Sequence, residues 1–401
     1  MKPLEGFRVL EVAMYGFVPA CGAVLREWGA EVIKVEHAVA GDPQRGLRQT
    51  GALVVTDDPN PNFENANRGK RSLGLDMSVP EGREVLYELV RCCDVFVTSF
   101  LPAARAKFGI DVDDIRAVNP NIIYARGSAL GPRGPEADKG GYDLTAFWCR
   151  AGAAATVTPP GFGGTVSLPG PAFGDTISGT NLAGGITAAL LKRERTGEPS
   201  VVDVSLLSSG TWAMGHTIAL TNHLGQLLVQ PPPGSGGSPV NPLVGMYVTA
   251  DDRYISFVMM QPTKFWADVC RHMELDELID DPRFTSAETI GANTPEAVRI
   301  LSETMAKRTL AEWTERFATL AGPWAPVQDT LQVAEDAQVR ANEYLIHAGE
   351  LDLIANPVQF DLTAPQAGPA PGFAEQTDEI LEELGFDWDR IIELKTSGAV
   401  T

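Results

Sequence analysis

The sequence predicts an α/β protein with a doubly wound parallel sheet in a large domain and a second, smaller α+β domain. Residues 1–130 alternate short β-branched runs with amphipathic stretches, which is how parallel strands joined by crossover helices read. The segment from Gln230 to Asn241, QPPPGSGGSPVN, is too rich in Pro and Gly to be a core element. At 401 residues with 44% hydrophobic composition, the chain is ordinary globular protein but longer than most single domains. These breaks divide it into 1–225, a loop or linker at 226–243, a small domain at 244–330, and a return segment at 331–401. That tail has too few elements for a core of its own and is expected to complete the large domain.

Phe7 to Val12 and Glu31 to Glu36 read as strands flanking a helix from Pro19 to Trp28, with Ala20, Val24, Leu25 and Trp28 on one face. A short strand follows at Ser72 to Asp76. Ser78 is expected to cap a helix that carries Pro80 in its first turn and runs to Cys92. Asp94 to Phe100 and Asn121 to Arg126 supply further strands. After Asp175 the run ISGTNLAGGITAALLKRER predicts a long helix, kept small on one face by Gly179, Ala183 and Gly184 and stopped at TGEPS. VVDVSLL is the next strand, leading into another helix. Beyond the Pro/Gly segment, MYVTADDRYISFVMM reads as a hairpin turning at Asp251 and Asp252, followed by several helices. Asn356 to Phe360 reads as a strand and QTDEILEELG as a helix.

Composition narrows the function. With 32 basic and 52 acidic residues the formal charge is -20, which repels a phosphate backbone and an anionic membrane surface. Neither nucleic acid nor membrane is an expected partner, and a phosphate-bearing ligand must meet a local basic patch. Pro3 and Glu5 stand where a secretory signal needs an apolar run, so the expected location is cytoplasmic. The five cysteines form no CxxC pair and have no His at ligand spacing, so no metal site is predicted.

Three segments could carry chemistry. The turn after the first strand, AMYGFVPACG, lacks the glycine fingerprint of dinucleotide binding. NRGKRSLGLDM places Arg68, Lys70 and Arg71 ahead of a strand, where they either hold phosphates or form a solvated loop balancing nearby acids. In PGPAFGDTISG, Asp175 lies between a glycine and a helix start. It is either an N-cap or a nucleophile kept ionised by the helix N-terminus and made accessible by small neighbours. Spacing leaves both open.

The chain resembles the class III CoA-transferases, the group that includes formyl-CoA transferase and the carnitine CoA-transferases. Blocks in the expected order carry the resemblance: KPLEGFRVLEVA, WGAEVIKVEHAVAGDPQRG, NRGKRSLGLDM with SVPEGREVL, GGYDLTAFWCRAG, FGDTISG and the Pro/Gly loop. It implies transfer of CoA from an acyl-CoA to a carboxylic acid, with Asp175 as nucleophile and an aspartyl-CoA thioester as intermediate. It also implies an interlocked homodimer.

By the same resemblance, CoA contacts fall on Gly16, Phe17 and His37, on Leu75, Asp76, Met77 and Ser78, on Ser99, Phe100 and Leu101, on Lys107, and on Gly140, Gly141, Tyr142 and Asp143. His37 replaces a common arginine and Gly140 a lysine of formyl-CoA transferase, which shifts phosphate contacts towards Arg71, Lys107 or Lys139. Gly234, Gly236 and Gly237 stand for the family's glycine loop, although the run is shorter and richer in proline, and a linker is the alternative. Met14 and Gly16 replace polar residues of formyl-CoA transferase, so a larger, more apolar acyl group is expected. A related enzyme, α-methylacyl-CoA racemase, uses a His and Asp pair; Tyr142 occupies the position of that His and is a poor base at neutral pH. A catalytically silent CoA-binding subunit is the remaining alternative.

Overall fold

The structure is a computed structural model that describes residues 2–230 and 237–401. The chain forms two units: Met1–Ala155, Thr165–Gln226 and Ala337–Thr401 make the larger, and Thr156–Gly164 with Leu227–Asp336 the smaller.

Six parallel strands form the sheet of the larger unit: β1 (Arg8–Val12), β2 (Glu31–Glu36), β3 (Arg71–Gly74), β4 (Val95–Thr98), β5 (Ile123–Ser128) and β6 (Val201–Ser205). Their spatial order is β3-β2-β1-β4-β5-β6. The chain winds outward from β1 in one direction, then crosses to β4 and winds in the other. This reversal opens a crevice beyond the carboxyl ends of β1 and β4.

Both faces of the sheet are covered, which is why its strands are continuous apolar runs rather than alternating ones. On one face of the sheet Leu10, Ile33, Leu73, Phe96 and Tyr124 pack with Val85, Leu86 and Leu89 of the helix Pro80–Cys92. Val9, Val32, Val95 and Ile123 pack with α1 (Phe17–Glu27). The same layer holds Leu182, Ala183 and Ile186 of the long helix α2 (Phe173–Thr196). A β-carbon at Gly179 would lie 2.8 Å from the Ala20 β-carbon and 2.9 Å from the Phe17 carbonyl oxygen, so α1 and α2 approach closely there. Gly184, expected on that face, points into open space instead.

Other expectations need correction. Ser78 does not cap its helix: Val79 is the N-cap, without a side-chain bond, and the Ser78 N–H donates to the Asp76 carboxylate at 2.8 Å. Asn356 to Phe360 is not a strand. Pro357 has no N–H to give a ladder, and Asn356 Oδ1 accepts from Trp28 Nε1 at 3.0 Å instead of extending a sheet. The strands of the tail are Leu345–Ala348 and Leu351–Ile354, paired antiparallel. Helices Thr377–Glu383 and Trp388–Ser397 follow, and their Ile380, Leu381, Ile391 and Leu394 enter the core beside Leu73.

In the smaller unit, the strands Val244–Val248 and Tyr254–Val258 form the expected hairpin, joined by Trp324–Pro326 as a third antiparallel strand. Helices around Trp266, Leu301, Trp313 and Phe317 supply its core.

Candidate active site

The crevice at the strand reversal is a cavity of about 1000 Å³ within the larger unit. Its wall follows from the topology. The turn after β1 contributes Ala13 to Phe17, the end of β2 gives His37, and the segment beyond β3 gives Leu75 to Ser78. Ser99, Phe100 and Leu101 come from the end of β4, and Lys107 from the short helix Pro102–Phe108. Gly140, Gly141, Tyr142 and Asp175 close the other side.

Asp175 is the third residue of α2, whose N-cap is Ala172; it is therefore in the first turn and is not a cap. The start of α2 is held by Asp143, whose Oδ2 accepts the Gly174 N–H at 3.2 Å while Oδ1 accepts the Leu144 N–H at 2.7 Å. Gly174 fits because a β-carbon there would strike the Phe147 ring. Across the cavity wall, a β-carbon at Gly16 would overlap Asp175 Oδ2, so only glycine lets the turn after β1 approach the carboxylate so closely.

The sequence reading in which the helix N-terminus keeps this carboxylate ionised is outweighed by the surroundings. Burial first, and the Asp143 carboxylate second, push the Asp175 pKa up to about 7. Near neutral pH it is thus divided between acid and carboxylate.

The cations distribute differently from the sequence expectation. Lys107 lines the cavity, with its ammonium 5.3 Å from the Phe108 ring centroid, and Arg105 lines it nearby. His37 also lines it, and its Nδ1 accepts N–H groups of Val39 and Ala40 at 3.1 and 3.2 Å. Arg71, Lys139 and Asp143 do not line it. Arg71 is taken by Glu31 and Glu383 at 2.7 and 2.8 Å, Lys139 by Glu136 at 2.9 Å. Arg68 and Lys70 are neither phosphate ligands nor a solvated loop: both are buried, paired with Glu27 and Glu11. Gly234 and Gly236 lie outside the described residues, and Gly237 belongs to the smaller unit, with φ +118°.

The profile of CoA-transferase family III matches residues 4–377. The chain belongs to CoA-transferase family III. A (R)-2-hydroxy-4-methylpentanoate CoA-transferase of Clostridioides difficile is 31% identical over 99% of both chains. A cinnamoyl-CoA:phenyllactate CoA-transferase of Clostridium sporogenes is 29% identical over 98% of this chain and 95% of its own. Among solved structures, a CAIB/BAIF family protein from Brucella suis superposes with a TM-score of 0.83 at 25% identity, covering 96% of this chain and 99% of that one.

For a family III CoA-transferase the cavity also holds residues that sequence reasoning passed over. Arg126 lines the wall, tied to its cross-strand partner Asp203 at 2.7 Å. Tyr15 lines it as well, in a left-handed conformation that no feature of its residue type announces. Among the described residues, no group of three or more His, Cys, Asp or Glu side chains could hold a metal ion. Among the same residues, no helix is long and apolar enough to cross a membrane.

Proposed function

We propose that this chain moves CoA from an acyl-CoA to a carboxylic acid, with Asp175 as the nucleophile. One observation carries the proposal: a carboxylate at the wall of a large cavity, faced by a glycine with no side chain to block it. The reaction balances without ATP. The Asp175 carboxylate adds to the thioester carbonyl and expels CoA thiolate, giving a mixed anhydride. The thiolate attacks the aspartyl carbonyl, which releases the donor carboxylate and leaves an aspartyl-CoA thioester. An acceptor carboxylate repeats the exchange in reverse and leaves as the new acyl-CoA. The covalent relay splits one difficult displacement into steps between species of similar energy.

Lys107 supplies positive charge for the phosphates of CoA in an otherwise acidic chain, with Arg105, which is paired with Asp111 at 3.3 Å, beside it. The cavity wall also carries the apolar side chains of Met14, Phe17, Ala129 and Leu206. An acyl group with a branched aliphatic or aromatic side chain suits this wall. The names of the two relatives, for 2-hydroxy-4-methylpentanoate and for cinnamoyl-CoA with phenyllactate, are consistent with that size and polarity. A second copy of the chain is the proposed partner, for the reasons argued at the scale of the whole molecule below.

Mass spectrometry of the protein after incubation with a panel of acyl-CoA thioesters and hydroxylamine or borohydride trapping tests the proposal. The expected result is an adduct on Asp175 that is absent from Asp175→Ala. Exchange of the α-proton with deuterated water and no adduct would establish proton transfer in its place. CoA binding with neither reaction would mark a binding subunit.

A further inference from the structure

A residue with a side chain keeps a positive φ only where the surrounding structure over-determines it, and such residues gather at functional sites. Tyr15, in the turn after β1, is one, at φ 65°. Three consecutive residues of this turn have a backbone group held by a side chain. The Ala13 carbonyl accepts from Lys34 Nζ at 3.1 Å, the Met14 N–H donates to Ser99 Oγ at 3.5 Å, and the Tyr15 N–H donates to Asp42 Oδ1 at 3.2 Å. The next residue, Gly16, is the one whose missing β-carbon leaves room for Asp175 Oδ2.

The side chains that hold the turn are themselves built in. Lys34, on β2, and Asp42, beyond the end of β2, are both buried, and Lys34 Nζ lies 2.8 Å from Asp42 Oδ2. The three protons of the Lys34 ammonium have three partners: Asp42, the Ala13 carbonyl, and Glu11 at 3.3 Å. Asp42 Oδ1 also accepts the Gln44 N–H at 2.9 Å, and the Asp42 N–H donates to Glu36 Oε2 at 3.0 Å. Lys70 pairs with Glu11 at 2.7 Å and Arg45 with Glu36 at 2.6 Å, so the charges around the pair are answered as well. A buried ion pair is seldom more stabilising than apolar residues of the same volume, so stability does not account for this one. What it specifies is a geometry, a strained turn laid against a carboxylate.

We propose that Lys34 and Asp42 are positioning residues for the reaction: they hold residues 13–16 against Asp175 and thereby keep water from the oxygen that attacks. The inference rests on Asp175 as the nucleophile. Burial is the first cause of its raised pKa and Asp143 the second, and the turn that carries Gly16 is part of that burial. A turn released from Lys34 and Asp42 admits water. Water stabilises the carboxylate before it attacks and lowers its pKa towards the ordinary 3.8.

The experiment replaces both partners at once in the full-length protein, Lys34→Met with Asp42→Leu, so that the net charge is unchanged and Glu11 keeps Lys70. It reads the rate at which Asp175 is labelled at saturating concentration, from about pH 5 to about pH 9, by whichever acyl-CoA thioester of the panel labels the wild type fastest. The expected result is a rising limb displaced from about 7 to lower pH by about one unit, with a plateau about tenfold lower. Asp42→Ala, which leaves Lys34 with Glu11, carries the same expectation and serves if the double variant does not fold or labels too slowly to follow. A limb that stays at about 7 assigns the pair to stability alone and overturns the inference, whatever the plateau does. A displaced limb with an undiminished plateau overturns it too, because water at the carboxylate would then not slow the attack. Failure of every thioester to label wild-type Asp175 removes the covalent reaction and this inference with it.

Discussion

The chemistry of this site depends on the protonation of one carboxyl group. In the proposed reaction Asp175 attacks as a carboxylate, and burial with the nearby Asp143 pushes its pKa up to about 7. The rate of Asp175 labelling should therefore rise with pH through about 7 and level off above it. Asp143→Asn removes the second cause and should move this limb to lower pH, although it also weakens the tie to the Gly174 N–H. The same shift bears on stability. Below pH 3.8, the ordinary value, Asp175 is protonated folded or unfolded and contributes nothing. As pH rises the unfolded chain loses this proton first, so stability falls until about pH 7 and the full penalty persists above. Asp175→Asn should accordingly stabilise the protein at pH 8 by about 2 kcal/mol, a figure discounted for partial exposure, and have little effect at pH 4. Thermal melts at both pH values check this; a variant no more stable at pH 8 than at pH 4 would mean that Asp175 is ionised at no cost. Nothing in the segment FGDTISG reveals that shift, because its causes are burial beneath the turn after β1 and an aspartate thirty-two positions upstream.

The elements show what sequence can and cannot carry. β1, β2, α1 and the Pro80–Cys92 helix are legible because their apolar periodicity and Pro placement are local signals. The cavity wall is legible largely through family resemblance, and the strand order then explains why residues from such distant segments meet. Arg68, Lys70 and Arg71 were opaque for the opposite reason: the acids that claim them come from elsewhere. Glu11 is on β1, Glu27 on α1, Glu31 on β2, and Glu383 near the end of the chain. Lys70 is the strictest case. Its ammonium has no exposure and donates to Glu11, the Pro19 carbonyl and Asn67 at 2.7 to 3.0 Å, joining β1 to α1. Burial lowers its pKa to about 8 despite Glu11. Lys70→Met leaves Glu11 with Lys34 alone, at 3.3 Å, and should cost about 3 kcal/mol in denaturant unfolding. A cost under about 1 kcal/mol would place this cluster in water and deny that it anchors the turn facing Asp175.

At the scale of the whole molecule, one surface demands a cover. The helix α3 (Leu206–Ala213) exposes Trp212 at 83%, and none of the ten residues of the next helix, α4 (Gly215–Leu224), is buried. A helix of that length is marginal in water by itself; Leu220 and Leu224, four positions apart, expose an apolar stripe on it, and Ile218 is exposed on another side. Two copies of a chain with formal charge -20 repel each other, so an interface between them has to be apolar and extensive to prevail. The helix and Trp212 supply such a patch, in keeping with the interlocked homodimer that the family resemblance implies. Sedimentation should find a dimer in the wild type, and Trp212→Glu combined with Leu224→Glu should leave mainly monomer. Because every residue lining the cavity belongs to the larger unit of one chain, the monomer should still bind CoA. A monomeric wild type, or a double variant that remains dimeric, would show that this surface is not where two copies meet.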